Sequence, residues 1–245
     1  LVRGIGVGAP GVTHHKAGVV TWAYTLKWHD FPLKARLLER YNLPIAVDND
    51  VNLAALGELW FGGAQSVSNM VFITIGTGIG AGIIIDGALY RGAHEASGEI
   101  GNMLPDRAFL GKRYQEFGAL ETIASGTGIA ERARQALKGR RRPGKLEQLL
   151  AEDVFDAARQ GQAWAKKLVD ETVDCLAVAI ANLTVTFDPE LIVLGGGVTR
   201  SADLLIEPIL RRIEGTIPAL PRLVVSSLER RAVGIGPRQA LLGKG

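Results

Sequence analysis

Two glycine-rich turns and a few carboxylates are the residues of this 245-residue chain whose types and spacing point to chemistry. The run from Phe72 to Gly87 sets two β-branched apolar stretches around Gly76, Gly78 and Gly80. Each stretch is too short for a helix and rich enough in Ile, Thr and Val for a strand. The glycines then occupy a strand–turn–strand corner, where they can take backbone angles closed to other residues. Peptide N–H groups left open in such a concavity bind anions, phosphate above all. A tight hairpin whose glycines serve geometry alone is an equally good reading, and the Thr77 hydroxyl, an extra donor, favours phosphate. No Gly-Lys-Ser/Thr follows, which excludes a Walker A loop. A strand follows where the dinucleotide fingerprint needs a helix.

Upstream, Asp48-Asn49-Asp50 ends another strand and opens a helix. Asp50 in that place is a natural N-cap. The same geometry, with a helix N-terminus favouring its ionised form, suits a general base that takes a proton from an attacking hydroxyl. Asn49 stands ready to hydrogen-bond the same alcohol, while Asp48, one residue off, is expected to point elsewhere. Glu99 sits between glycines in Ser97-Gly98-Glu99-Ile100-Gly101-Asn102, either as a surface turn or as a group a ligand can approach closely. Glu121 opens a helix after Gly118-Ala119-Leu120, where a carboxylate also complements the helix dipole. Gly195-Gly196-Gly197 ends a strand before a helix, a place that commonly accepts a nucleotide and equally a close-packed turn. A phosphate cradle and a poised carboxylate together suggest phosphoryl transfer.

The elements that must position these groups alternate between strands and helices, which implies an α/β fold. Strands are expected at Gly4–Ala9, Val19–Trp22, Pro44–Val47, on both sides of the glycine hairpin, at Leu191–Leu194 and at Leu223–Ser226. Helices are expected over Phe31–Tyr41, Val51–Trp60, Ala119–Leu137 with a break near Ser125, Leu146–Arg159, Ala163–Thr186, Ala202–Glu214 and the C-terminus. The composition, 47% hydrophobic and 22% charged, is that of a soluble globular chain large enough to bury a core unaided. A net charge of +3 helps attract an anionic ligand and is too small to argue for nucleic acid. The basic run Lys138–Pro143 reads as a solvated loop. Cys175, the only cysteine, excludes intrachain disulfides and multi-cysteine zinc, fitting a cytoplasmic protein. The longest apolar stretch, Cys175–Phe187, is too short for a bilayer and reads as a core helix. The chain opens on Leu1 and runs straight into an apolar strand, so further sequence is expected upstream.

The order of motifs is more specific than any one of them. Pro10-Gly11, Gly18, Trp28, Leu43-Pro44, the segment Asp48 to Glu58, the glycine hairpin, Gly98-Glu99-Ile100-Gly101, Gly118-Ala119-Leu120-Glu121 and Gly195–Gly197 follow one another across nearly the whole chain. In this the chain resembles the ROK family (repressors, open reading frames and sugar kinases) of the actin-like ATPase superfamily. The resemblance implies a two-lobed actin-like ATPase (ribonuclease H-like) fold with the first part of the N-terminal lobe missing. Residues 1–62 with about 230–245 would form the small lobe and 63–229 the large one. Sugar and nucleotide would bind in the cleft between them. Asp50 would be the base, and Asn49, Glu99, Asn102 and Glu121 would meet the sugar. Gly76, Thr77 and Gly78 would hold ATP phosphates, and Gly195, Gly196 and Gly197 would lie near the nucleoside. The reaction implied is in-line transfer of the γ-phosphoryl of ATP, with Mg2+, to a hexose or N-acetylhexosamine.

Three departures stand out. Asn102 replaces the family's His. The positions of its three zinc cysteines hold Lys112, Tyr114 and Ala119, so no zinc is expected, and the loop around Phe109, Tyr114 and Phe117 would place Glu121 by apolar packing. The opening Asp-x-Gly-Gly-Thr-Lys hairpin is absent. A further, smaller departure is Thr25, which stands roughly where many members carry Asn. The alternatives to a kinase are the effector domain of a sugar-sensing transcriptional repressor, with its DNA contacts in a missing N-terminal domain, and a pseudokinase that binds sugar without turnover. A homo-oligomer is expected, as is usual in the family.

Overall fold

The structure is a computed structural model and describes residues 2–114, 117–139 and 146–228. The expected C-terminal helix, the stretch 230–245 of the expected small lobe and most of the basic run lie outside the described residues.

Strands β1 (Ile5–Ala9) and β5 (Ile45–Asn49) pair in parallel, with Ala9 opposite Asn49. Between them in sequence, β2 (Val12–His14), β3 (Val19–Ala23) and β4 (Trp28–Phe31) form an antiparallel sheet. Helix α1 (Leu33–Leu38) follows. Ala9, Val20, Ala23, Ile45 and Val47 bury together under Trp28, Phe31, Leu33 and Leu37. The helix expected over Phe31–Tyr41 shrinks to α1 for two reasons. A residue preceding proline is pushed toward extended backbone, which turns Phe31 before Pro32 into strand. Trp28 and Phe31, three residues apart, also stack at 4.2 Å across Asp30, whose left-handed φ of +48° lies outside the helical region.

The second sheet runs in the order β10 (Leu223–Val225), β9 (Leu191–Gly195), β6 (Met70–Ile75), β7 (Ile79–Ile85), β8 (Ala88–Tyr90). Strands β10, β9 and β6 are parallel, and β6–β7–β8 form an antiparallel meander. Alternate residues of a strand face opposite sides, so a strand covered on both sides reads as an unbroken apolar run. Thus Val71, Ile73, Ile75, Ile192 and Leu194 join one core, and Met70, Phe72, Leu191 and Val193 join another. The first core is closed by α4 (Gly126–Ala136), α5 (Ala151–Arg159), α6 (Ala163–Phe187) and α7 (Ile206–Ile213). The second is closed by α2 (Asp50–Phe61) through Leu53, Ala54, Ala55 and Leu56. Gly82 on β7 lets α2 sit this low, because a Cβ there would stand 2.4 Å from the Ala55 methyl. The close seat brings the N-terminus of α2 over the β6–β7 hairpin.

The helical stretch expected from Ala119 divides into a single turn, α3 (Glu121–Ala124), and α4, whose N-cap Ser125 accepts the Gly128 N–H at 3.0 Å. Downstream of β9, a 3-10 helix over Gly197–Leu204 precedes α7, where one α-helix was expected from Ala202. No helix among the described residues is long and apolar enough to cross a membrane.

Candidate active site

The carboxyl-terminal ends of β5, β6 and β9 face a common crevice, the usual binding place in sheets with parallel strands. Two cavities open there. The larger, about 640 Å3, is lined by Asn49, Asp50, Gly76–Gly80, Glu99, Asn102, Glu121 and Thr25, among others. The smaller, about 230 Å3, is lined by Gly195, Gly196, Gly197, Thr199, Arg200, Phe72 and Ser226. Asp50, Val51 and Thr74 line both, so Asp50 stands where the two spaces meet. Every sequence-predicted site residue therefore borders this crevice.

Asp50 is not the cap of α2. That place belongs to Asn49, whose Oδ1 accepts the N–H groups of Val51 at 2.9 Å and Asn52 at 3.0 Å. Asn49 Nδ2 donates to the Gly11 carbonyl at 3.0 Å, tying the helix start to the turn after β1. Asn49 has the extended backbone that an N-cap requires, and Asp50 is already helical. Relieved of capping, the Asp50 carboxylate accepts local backbone bonds, the Val51 N–H at 2.9 Å to Oδ1 among them. Burial pushes its pKa above the ordinary value, against the lowering effect of the Val51 and Asp50 backbone N–H groups. Glu99 is raised as well, first by burial of its carboxyl among protein atoms and then by the charges of Glu121 and Asp50, although water reaches the side chain from the crevice. Three acidic groups thus converge on one space, which suits a ligand rich in hydroxyl donors.

Asp48, expected to point elsewhere, is a buried anchor. Its Oδ1 accepts from Asn49 N–H at 2.8 Å and Asn52 Nδ2 at 3.3 Å, and its Oδ2 accepts from Arg91 Nη2 at 2.7 Å and Nε at 3.3 Å. This ion pair is invisible to sequence spacing because its partners lie 43 residues apart.

The hairpin glycines act otherwise than expected. None of Gly76, Gly78 and Gly80 has its φ in the left-handed region. At Gly78 and Gly80 what matters is the absence of Cβ. A Cβ on Gly78 would lie 2.4 Å from Glu121 Oε1, and one on Gly80 would lie 3.2 Å from a Val51 methyl. Nor is the Gly76 N–H open, since it donates to the Gly78 carbonyl at 2.9 Å. Gly76 itself has open space on its Cβ side, and Thr77 is exposed at the tip. Glu121 joins three segments: Oε1 accepts Ile79 N–H and Oε2 accepts Gly118 N–H, both at 2.7 Å. Backbone donors thus hold this side chain, and Tyr114 and Phe117 of the aromatic loop border the same cavity. The first N–H of α4, from Gly126, donates to the Gly76 carbonyl at 2.7 Å and holds the hairpin from the other side.

On the smaller cavity, the left-handed φ of Gly196 (+90°) and a would-be Cβ contact of 2.4 Å with the Ile75 carbonyl make glycine obligatory. Gly197 faces open space, so a ligand can approach its backbone directly. Sequence reasoning passed over Thr74, Thr199, Arg200 and Ser226 here. Thr74 had a local signal, being the one polar residue in the apolar run of β6. Ser226 had none: its hydroxyl donates to Glu58, a fully buried carboxylate 168 residues away that also accepts Gly63 N–H. Among the described residues, no group of three or more His, Cys, Asp or Glu is placed to hold a metal ion.

Comparison with known proteins agrees with this architecture. The sequence profile of the ROK family matches residues 1–236. The glucokinase of Halalkalibacterium halodurans is 40% identical over 99% of this chain and 74% of its own length. The xylose repressor of Caldicellulosiruptor bescii is 31% identical over 96% of this chain but only 61% of its own. A ROK family glucokinase from Streptomyces griseus, solved with glucose and AMPPNP, superposes with a TM-score of 0.81 at 29% identity, covering 98% of this chain and 81% of that one. A fold of the actin-like ATPase type, with α2 packed on the face of the second sheet and against the β1–β5 pair, and a family profile spanning almost the entire sequence lead to one conclusion: the chain belongs to the ROK family.

Proposed function

We propose that this protein is an ATP-dependent, glucokinase-like sugar kinase whose acceptor is a hexose or N-acetylhexosamine and whose general base is Asp50. The single observation that carries this reading is the place of Asp50, on the wall shared by the two cavities. A base for phosphoryl transfer must reach the acceptor hydroxyl while that oxygen faces the phosphate. The larger cavity, with Glu99, Asn102, Glu121 and the remaining N–H of Asn49, offers hydroxyl partners for a sugar. The smaller cavity suits a nucleotide. Gly197, open on its Cβ side beside Gly195 and Gly196, lets phosphates or ribose come close to backbone, Thr199 supplies a hydroxyl and Arg200, paired with Glu152, a guanidinium at its edge. Gly76, Thr77 and Gly78 lie at the boundary, toward the terminal phosphates.

In the step itself the sugar oxygen bonds to the γ-phosphorus, the bond to the leaving ADP oxygen breaks, and the hydroxyl proton passes to Asp50. Its raised pKa brings the base closer to working pH, where general-base catalysis is most effective. The rest of the acceleration comes from holding both reactants in line and from electrostatic stabilisation of the phosphoryl group. Mg2+ would supply charge neutralisation while bound mainly through the phosphates, its usual mode in kinases. We assign residues 1–62 with about 230–245 to a small lobe and 63–229 to a large lobe, with α2 bridging them, and we expect a homo-oligomer. The protein should carry no structural zinc, so stoichiometric zinc by elemental analysis would overturn that part of the reading.

The test is coupled ADP release with a panel of hexoses and N-acetylhexosamines, alongside Asp50→Asn. Asn49 caps α2, so the variant keeps its fold, and the loss should be about 10²–10⁴-fold in kcat. A folded Asp50→Asn protein with wild-type turnover would remove Asp50 from this role. The similarity to a xylose repressor supports a second reading, a sugar-sensing effector domain, which sugar binding without any ADP release would favour.

A further inference from the structure

The loop between β8 and the 3-10 turn Ile100–Asn102 carries Glu99 into the larger cavity. It is fastened at three points. Near its start, Arg91 pairs with buried Asp48, and the Arg91 carbonyl accepts the Ser97 N–H at 3.1 Å. At its end Gly98, with φ of +88°, lies so close to β7 that a Cβ would fall 1.9 Å from the Ala81 carbonyl oxygen. Between these points stands Glu95. Its φ is +58°, a left-handed conformation that glycine adopts freely and a side-chain-bearing residue only at a cost. A residue held in such a conformation points to a role for its side chain.

That side chain reaches His15, in the turn after β2, which is 80 residues away in sequence. His15 Nδ1 lies 2.8 and 2.9 Å from the two Glu95 oxygens. A carboxylate only accepts, so Nδ1 carries the proton in this pair. Both side chains are largely shielded, at 27% and 17% exposure, so the contact is screened less than a surface ion pair. Glu95 also lines both the larger cavity and a neighbouring one of about 500 Å3 that includes His14, His15, Lys16 and Tyr90. The pair therefore forms the partition between them. The very next carbonyl, that of Ala96, accepts the Glu99 N–H at 3.4 Å. Fixing Glu95 thus fixes the peptide from which Glu99 projects.

We infer that the His15–Glu95 pair clamps this loop across the sugar end of the cleft, making Glu95 a positioning residue for the sugar. The inference rests on the kinase reading above for what occupies the cleft. Of the two cavities that meet at Asp50 the loop lines the larger and not the smaller, so the clamp bears on sugar affinity and leaves the nucleotide side untouched.

The decisive variant is Glu95→Gly, which relieves the left-handed backbone while deleting the pair, so its melting temperature should equal or exceed that of wild type. Its sugar KM should rise about tenfold, the loss expected when a hydrogen bond to a charged group is misplaced, with ATP KM and kcat each within about threefold. His15→Ala should raise sugar KM by a similar factor. The double variant should add little, because both changes break one contact. Sugar KM within twofold of wild type in a folded Glu95→Gly protein, or fully multiplicative effects in the double variant, would overturn the inference. If wild-type protein releases no ADP, the kinase reading fails separately. Sugar dissociation constants by calorimetry on the same variants then decide the clamp, and a wild type that binds none of the sugars overturns it as well.

Discussion

Removal of Arg91 tests whether the crevice is built on a buried charge. Asp48 is 4% exposed, and among the described residues the group bonded to its Oδ2 is the Arg91 guanidinium, at 2.7 and 3.3 Å. In Arg91→Ala the carboxylate stays buried with donors on Oδ1 alone. Stripping one partner from a buried pair costs about 3–5 kcal/mol. Arg91 is itself 24% exposed and Oδ1 keeps two donors, which reduces the expectation to about 2–3 kcal/mol. For a chain of this length each kcal/mol lowers the melting temperature by roughly 2–4 °C, so a drop of about 5–10 °C is expected. Urea unfolding followed by tryptophan fluorescence measures the free energy, and thermal circular dichroism measures the shift. The double variant Asp48→Asn with Arg91→Met removes both charges and should recover at least about 1 kcal/mol relative to the sum of the single changes. Destabilisation by Arg91→Ala of under about 0.5 kcal/mol would place the pair among solvent-screened surface contacts and refute the reasoning.

Three other outcomes rest on the crevice carboxyls and on Gly98. Asp50 and Glu99 hold their protons more tightly in the folded protein than in the unfolded one. Their stabilising contribution is therefore complete below the unfolded pKa and lost as pH rises through the raised folded values. Asp50→Asn should accordingly melt higher than wild type at pH 8, with the gap closing in acid toward 3.8, the ordinary value for Asp; a variant less stable at pH 8 would contradict the desolvated carboxyl. By the same token, sugar phosphorylation should fall on the acid side with a midpoint above that value. Gly98→Ala combines a left-handed φ with a 1.9 Å overlap on the Ala81 carbonyl and should cost about 3 kcal/mol or more, whereas Gly63→Ala, with open space at Cβ, should stay within about 0.5 kcal/mol in the same urea assay.

The amino-acid sequence by itself determined whatever depends on neighbours along the chain. The short, β-branched apolar runs of β6 and β9 announce strands. The Asp48-Asn49-Asp50 segment announces a helix start, Ser125 a break in a helical stretch, and the order of glycine and acidic motifs the family. Tertiary structure decided which of these groups do what. Asn49 rather than Asp50 caps α2 because backbone angles, not residue type, choose between two adjacent candidates. Glycine is required at position 78 because Glu121 occupies its Cβ side, a neighbour 43 residues on. Asp48 with Arg91, Glu95 with His15 and Ser226 with Glu58 leave no trace in local spacing. Each pair forms only when separate strands and turns come to rest side by side. A carboxylate's partner and desolvation, and so its charge state, are properties of the space around it, and packing creates that space.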